Sequence, residues 1–171
     1  EKKEQSCLAV RIPGWCSSYS LLVNGIECTK EYGATDGYVS IKREWTKGDT
    51  VCLQLCMEVK RIYAHLCVRE DAGCTALMRG PLVYCMEEAD NGKGQNALLL
   101  PAGSEIIEKQ KSDAALGDYI GLEAAGLRLE GDSEALYSET PPRAIETKIC
   151  AVPYFLWGNR TAGEMRVWIR E

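Results

Sequence analysis

No pair of the nine cysteines shows the CxxC spacing of structural zinc sites, and no two cysteines are adjacent. Histidine is nearly absent, with His65 alone, so an imidazole-rich metal site is excluded. Aromatic residues make up only 8% of the chain, which is sparse for a protein that works by stacking on flat ligands. No apolar run approaches the roughly 20 residues that span a bilayer. No segment repeats apolar residues at helical spacing for long enough to make an extended amphipathic helix. A basic excess is also missing. The formal net charge is −5, with lysine and arginine scattered among acids, and a nucleic-acid partner would need a basic face. The glycine-bearing stretches do not match a phosphate loop.

What remains is apolar residue in strand-like order. Hydrophobic residues form 46% of the 171, enough to bury a core in one large or two small domains. Alternation with period two dominates, the mark of half-buried strands. Val51, Leu53, Leu55, Met57 and Val59 share one face, with Cys52, Gln54, Cys56 and Glu58 opposite. Leu8, Val10 and Ile12 alternate ahead of Pro13-Gly14, Val39 and Ile41 ahead of Trp45, and Met165, Val167 and Ile169 near the C-terminus. Leu98 to Leu100 form a short apolar strand, Ile120 to Ala124 alternate, and Thr147 to Tyr154 read as a strand reaching Pro153.

Turn chemistry falls between these runs. Asn24-Gly25 tolerates positive φ at both positions and predicts a tight hairpin. Asp36-Gly37, Lys47-Gly48-Asp49, Ala72-Gly73 and Gly80-Pro81 punctuate the rest. The segment 90–96 reads as an exposed loop, 104–117 as ambiguous with room for one helical turn, and 133–142 as a polar connector. Strands spaced about ten residues apart indicate sandwiches or barrels. The expectation is an all-β chain of two tandem β-sandwich, jelly-roll-like units, 1–68 and 69–171. The first has about four strands and is incomplete. The opening Glu1-Lys2-Lys3-Glu4-Gln5 is neither a signal peptide nor a typical start, which suggests a piece of a longer polypeptide.

Several motifs in order resemble one family. They are Val10-Arg11-Ile12-Pro13-Gly14-Trp15-Cys16, Val23-Asn24-Gly25, the run Gly37 to Trp45, Gly48-Asp49, the run Arg79 to Cys85, and the runs Val152 to Arg160 and Gly163 to Trp168. In this spacing the chain resembles the C-terminal half of glycoside hydrolase family 127, the β-L-arabinofuranosidases. The resemblance implies an enzyme with an N-terminal (α/α)6 barrel followed by two β-sandwich domains. The barrel would hold zinc on cysteines and a glutamate, with one zinc-bound cysteine as nucleophile and a second glutamate as acid/base. That nucleophile sits in an adjacent cysteine pair, a motif this sequence lacks. The resemblance therefore assigns no catalytic, metal or cofactor residue to this chain and leaves zinc to the parent's barrel. The implied partners are that barrel and a plant glycan. Two rivals stand beside this reading: a stand-alone carbohydrate-binding module, and a cysteine-based metal or redox protein. A self-contained hydrolase ranks last.

Four residues carry the remaining functional interest. Trp157, Asn159 and Arg160 place an aromatic, an amide and a guanidinium together, as a sugar contact would require. Packing of Trp157 and pairing of Arg160 with an acid is the favoured alternative. Trp15, after Pro-Gly at a strand end, could line a sugar cleft, though packing at a domain junction is preferred. Glu87, Glu88 and Asp90 read as a solvated strand end, and His65 as a structural residue. Asn159-Arg160-Thr161 fits a glycosylation acceptor but is discounted. Reduced thiols and a cytoplasmic setting are expected for the cysteines.

Overall fold

Asn24-Gly25 and Asp36-Gly37 both turn the chain through positive φ, at 51° and 77° and at 53° and 78°. Each closes a hairpin, as the dipeptides predict. The computed structural model describes residues 4–131 and 135–171. The Glu1 to Lys3 opening lies outside them, as does the 132–134 part of the connector expected over 133–142.

Two compact units divide the chain, Glu1–Glu58 and Val59–Glu171. The expected boundary at 68/69 therefore moves upstream. The physical reason lies in the longest alternating run of the sequence. It is not one strand but two, broken at 56–58, and its second part pairs with a strand of the C-terminal unit.

The N-terminal unit has six strands where about four were expected: β1 (Glu4–Arg11), β2 (Tyr19–Val23), β3 (Ile26–Glu27), β4 (Ala34–Thr35), β5 (Tyr38–Trp45) and β6 (Val51–Leu55). They form two three-stranded sheets, ordered β1-β5-β4 and β3-β2-β6. β3 is the second arm of the hairpin expected at Asn24-Gly25, whereas β4, which sequence reading missed, has two residues, too short to show a period. Alternation puts Val39 and Ile41 of β5 and Leu21 and Val23 of β2 on inner faces, where all four are buried. Tyr19, Trp45, Val51 and Leu53 pack around them.

The C-terminal unit contains β7 (Val59–Ile62), β8 (Cys74–Arg79), β9 (Leu82–Glu87), β10 (Leu98–Leu99), β11 (Ile106–Asp113), β12 (Gly117–Glu130), β13 (Arg143–Pro153), β14 (Met165–Arg166) and β15 (Ile169–Arg170). A single helical turn, α1 (Glu88–Asn91), follows β9. Pairings run β8–β9–β13–β12–β10–β15 and return to β8, so the sheet closes around its own core. Leu77, Tyr84, Met86, Leu98, Leu100, Leu122, Ile149 and Ile169 fill it. At Gly126 of β12 the flanking strands β13 and β10 leave so little room that a Cβ would lie 2.1 Å from Ile149 Cδ1 and 2.8 Å from the Leu99 carbonyl oxygen.

Three local readings are corrected. The ambiguous 104–117 segment holds strand β11, which forms a hairpin with β12, and no helical turn. Met165 and Ile169 do not share one strand: Met165 pairs in β14 with β9, and Ile169 in β15 with β8. The 90–96 loop is not uniformly exposed, because Gln95 is buried within it.

Candidate functional site around Arg160 and Trp157

β9 ends on Glu87, which is 3% exposed, and α1 sets Asp90 one turn further on. More than 60 residues later β13 stops at Pro153, followed by a 3-10 turn over Tyr154–Leu156 and by Gly158 at φ 77°. That left-handed glycine returns the chain so that Arg160 meets both acids. Arg160 Nη1 donates to Asp90 Oδ1 at 2.9 Å, and Nη2 donates to Asp90 Oδ2 at 2.5 Å and to Glu87 Oε2. Glu87 Oε1 accepts the Gly158 amide at 3.0 Å. The Asp90 hydrogen bonds, with those to Glu87, raise the Arg160 pKa beyond its usual value against the opposing effect of burial. The planar fork explains why arginine stands here and not lysine.

A second set of polar contacts builds the floor. Asn91 Nδ2 donates to the carbonyls of Glu87 and Cys150, and its Oδ1 accepts the Cys150 amide at 2.9 Å. Glu164 accepts the amides of Gly94 and Gln95, which hold its carboxyl below the usual range. Arg128 from β12 donates to the carbonyls of Asn91, Lys93 and Gly94. Sequence reading missed Asn91, Arg128 and Glu164. The only trace they leave is the glycine pair at 92 and 94, both at positive φ, whose open carbonyls and amides need partners.

The four singled-out residues separate. Arg160 is consumed by its ion pairs. Asn159 donates to the Leu156 carbonyl at 3.0 Å and so ties its own turn. Trp157 is presented outward, 44% exposed and stacked on Tyr154 with ring centroids 6.2 Å apart. Phe155 beside them is 65% exposed. Trp157 borders a cleft of about 190 Å³ shared with Glu87, Glu88, Thr161 and Glu164. Trp15 belongs to the N-terminal unit, half-buried in the turn after β1.

Glu87 and Asp90 are not the solvated strand end expected for them. They also lack the geometry of a glycosidase pair. Such a pair flanks a sugar, whereas here a guanidinium occupies the space between the two carboxylates. Glu88 accepts the Glu164 amide at 2.9 Å. His65 is exposed and takes the Cys67 amide on Nδ1 at 3.2 Å. The nine cysteines are free thiols. Among the described residues no three His, Cys, Asp or Glu side chains gather as metal ligands, so the residues present do not fit a zinc site. Burial pushes the Cys85 thiol up to about 12, the opposite of what a nucleophile requires. No helix among the described residues is long and apolar enough to cross a membrane.

Residues 1–57 match the profile of the β-L-arabinofuranosidase GH127 middle domain, and residues 59–170 that of the glycoside hydrolase family 127 C-terminal domain. A non-reducing end β-L-arabinofuranosidase of Bifidobacterium longum subsp. longum is 40% identical over 170 residues, covering 94% of this chain and 25% of that protein. A crystal structure of a GH127 β-L-arabinofuranosidase from Geobacillus stearothermophilus T6 superimposes with a TM-score of 0.88 at 36% identity, over 100% of this chain and 27% of that one. A solved glycoside hydrolase reaches 0.84 at 33% identity, over 97% of this chain and 28% of the other. The chain thus spans about a quarter of the length of the relatives it matches. It belongs to glycoside hydrolase family 127, as the middle and C-terminal β-domains of that family.

Proposed function

We propose that this chain is the non-catalytic β-sandwich region of a glycoside hydrolase that removes non-reducing-end β-L-arabinofuranosides. Its role is to support an (α/α)6 catalytic barrel that lies elsewhere in the same enzyme. One observation carries the reading: two profiles named for the middle and C-terminal domains tile the chain, which accounts for about a quarter of its arabinofuranosidase relative. The zinc that the family resemblance implies belongs, in this reading, to the barrel. Trp15 and the aromatic turn at 154–157 are its contacts with the barrel. Free thiols throughout support a cytoplasmic setting.

The test is direct. The purified chain, given a chromogenic β-L-arabinofuranoside, should release no product above buffer, with or without added zinc. Turnover that survives repurification would overturn the proposal.

A second reading is favoured by the stacked, exposed Tyr154–Trp157 pair, a platform on which a sugar ring could lie. It makes the chain a carbohydrate-binding module acting on a plant glycan. Calorimetric binding of arabinofuranosyl oligosaccharides, abolished by Trp157→Ala, would support it over the first.

A further inference from the structure

The Asn24-Gly25 turn between β2 and β3 carries chemistry of its own. Glycine has no Cβ to shield its backbone nitrogen, so an asparagine before it is open to attack by that nitrogen. Both residues are exposed.

The fold holds this side chain by both ends of its carboxamide. Asn24 Nδ2 donates to Asp49 Oδ1 at 2.8 Å, and Asn24 Oδ1 accepts the Thr50 amide at 2.8 Å. The Asn24 amide donates to the Thr50 carbonyl at 2.9 Å. Asp49 completes the frame, since its Oδ2 accepts the Thr46 amide at 2.8 Å and its own amide donates to the Thr46 carbonyl at 3.1 Å. The Thr46 amide foremost, and then Asn24, hold the Asp49 carboxyl below its usual range. Asp49 therefore accepts as a carboxylate at neutral pH. The turn at 24–25 is thus clamped to the turn between β5 and β6, just beyond the point where Val23 pairs with Val51.

We propose that Asn24 is a deamidation site gated by this clamp. Closed, the clamp withholds the carboxamide from Gly25. Opened, it permits a spontaneous conversion whose product prevents the clamp from forming again. In that step the Gly25 nitrogen gives up its proton and bonds to Asn24 Cγ. The Cγ–Nδ2 bond breaks, and Nδ2 leaves as ammonia. Water then opens the cyclic imide at one of its two carbonyls, giving aspartate or isoaspartate, with no change of oxidation state. Ring closure turns the carboxamide onto Gly25, so the hydrogen bonds to Asp49 and Thr50 must break first.

Neither product can replace asparagine here. Aspartate at 24 has no donor for Asp49 Oδ1, and two carboxylates then face each other where an amide met one. Isoaspartate lengthens the main chain within a two-residue turn, which the Val23–Ile26 pairing does not accommodate. Each chain whose N-terminal unit has opened is thereby marked by one added negative charge. The inference does not depend on the glycosidase reading.

The test holds the chain at mildly alkaline pH, folded or unfolded in urea, and follows amide-to-acid conversion by peptide mass spectrometry. Conversion at Asn24 should be at least about tenfold slower in the folded chain. Asp49→Ala should remove most of that protection. Asn91-Gly92 should stay slow in the same variant, because its carboxamide is held by Glu87 and Cys150. If Asn91 accelerates too, the variant has unfolded, and a charge-swapped pair decides. Asn24→Asp should speed hydrogen exchange across 19–27 and 50–55. Adding Asp49→Asn, which restores one amide and one carboxylate, should slow it again. Equal conversion of Asn24 in folded and unfolded chains would overturn the proposal, as would an Asn24→Asp chain that exchanges no faster than the parent sequence.

Discussion

Arg160 turns its guanidinium inward to two acids separated from it by 70 or more residues of sequence. Its side chain is 14% exposed and that of Glu87 4%, so solvent cannot replace the contact. Arg160→Met should remove one charge and leave Glu87 buried without its counterion, at a cost of about 3–5 kcal/mol in a urea titration. Arg160→Lys should recover only part of the loss, because an ammonium cannot hold both oxygens of Asp90 in one plane. Cys85 supplies a pH dependence. Its folded pKa, about 12, lies above the ordinary thiol value, chiefly through burial. The native state therefore holds its proton where the unfolded state releases it. Stability from this group is complete below about pH 8.5, and declines as pH rises from there toward 12. The urea midpoint should fall over that window, and less steeply in Cys85→Ala. A midpoint flat to pH 11 would contradict the assignment. Neither Arg160 nor Cys85 announces its role locally. Pairing of Arg160 with an acid is a reading the sequence admits, but the identity of the acids is settled by the fold.

Strands and turns were the most legible part of the chain. Val39 and Ile41 show their burial by alternation, and Asn24-Gly25 shows its turn by composition. Gly25→Val should cost about 1–2 kcal/mol, because a β-branched side chain is strained at φ 77°. Gly126 is a different case. Nothing around it in the sequence distinguishes it from a weak point in a strand. In the structure it lets β12 come against Ile149 and the Leu99 carbonyl. Gly126→Ala should destabilise by about 1–3 kcal/mol, read as a lower thermal midpoint, even though alanine is the better strand residue. Strand extents were legible only where local pattern and partner agree. The run Val51 to Val59 keeps its period across 56–58 but changes partners there, from β2 to β8. The 165–170 run keeps its period too, yet its halves pair with β9 and β8.

At the scale of the whole chain, exposure marks where it can be cut without losing its sheets. Leu136 and Tyr137 are 95% and 93% exposed, in the connection between β12 and β13. Brief chymotrypsin treatment should cleave there first. The two pieces should still elute together under native conditions, since β12 and β13 pair over nine residues from Leu122 to Glu130. Separation of the pieces would show that this pairing is too weak to hold the C-terminal unit.

Period-two alternation and turn dipeptides act between neighbouring residues, so the sequence by itself determined that the chain is made of strands and where several of them reverse. Ordered motifs also reached its family. Pairing partners, the 58/59 division, the closure of the C-terminal sheet and the Glu87–Asp90–Arg160 cluster were decided only in the tertiary structure. They depend on which distant segments exclude water together, and a local period is the same whichever partner covers it.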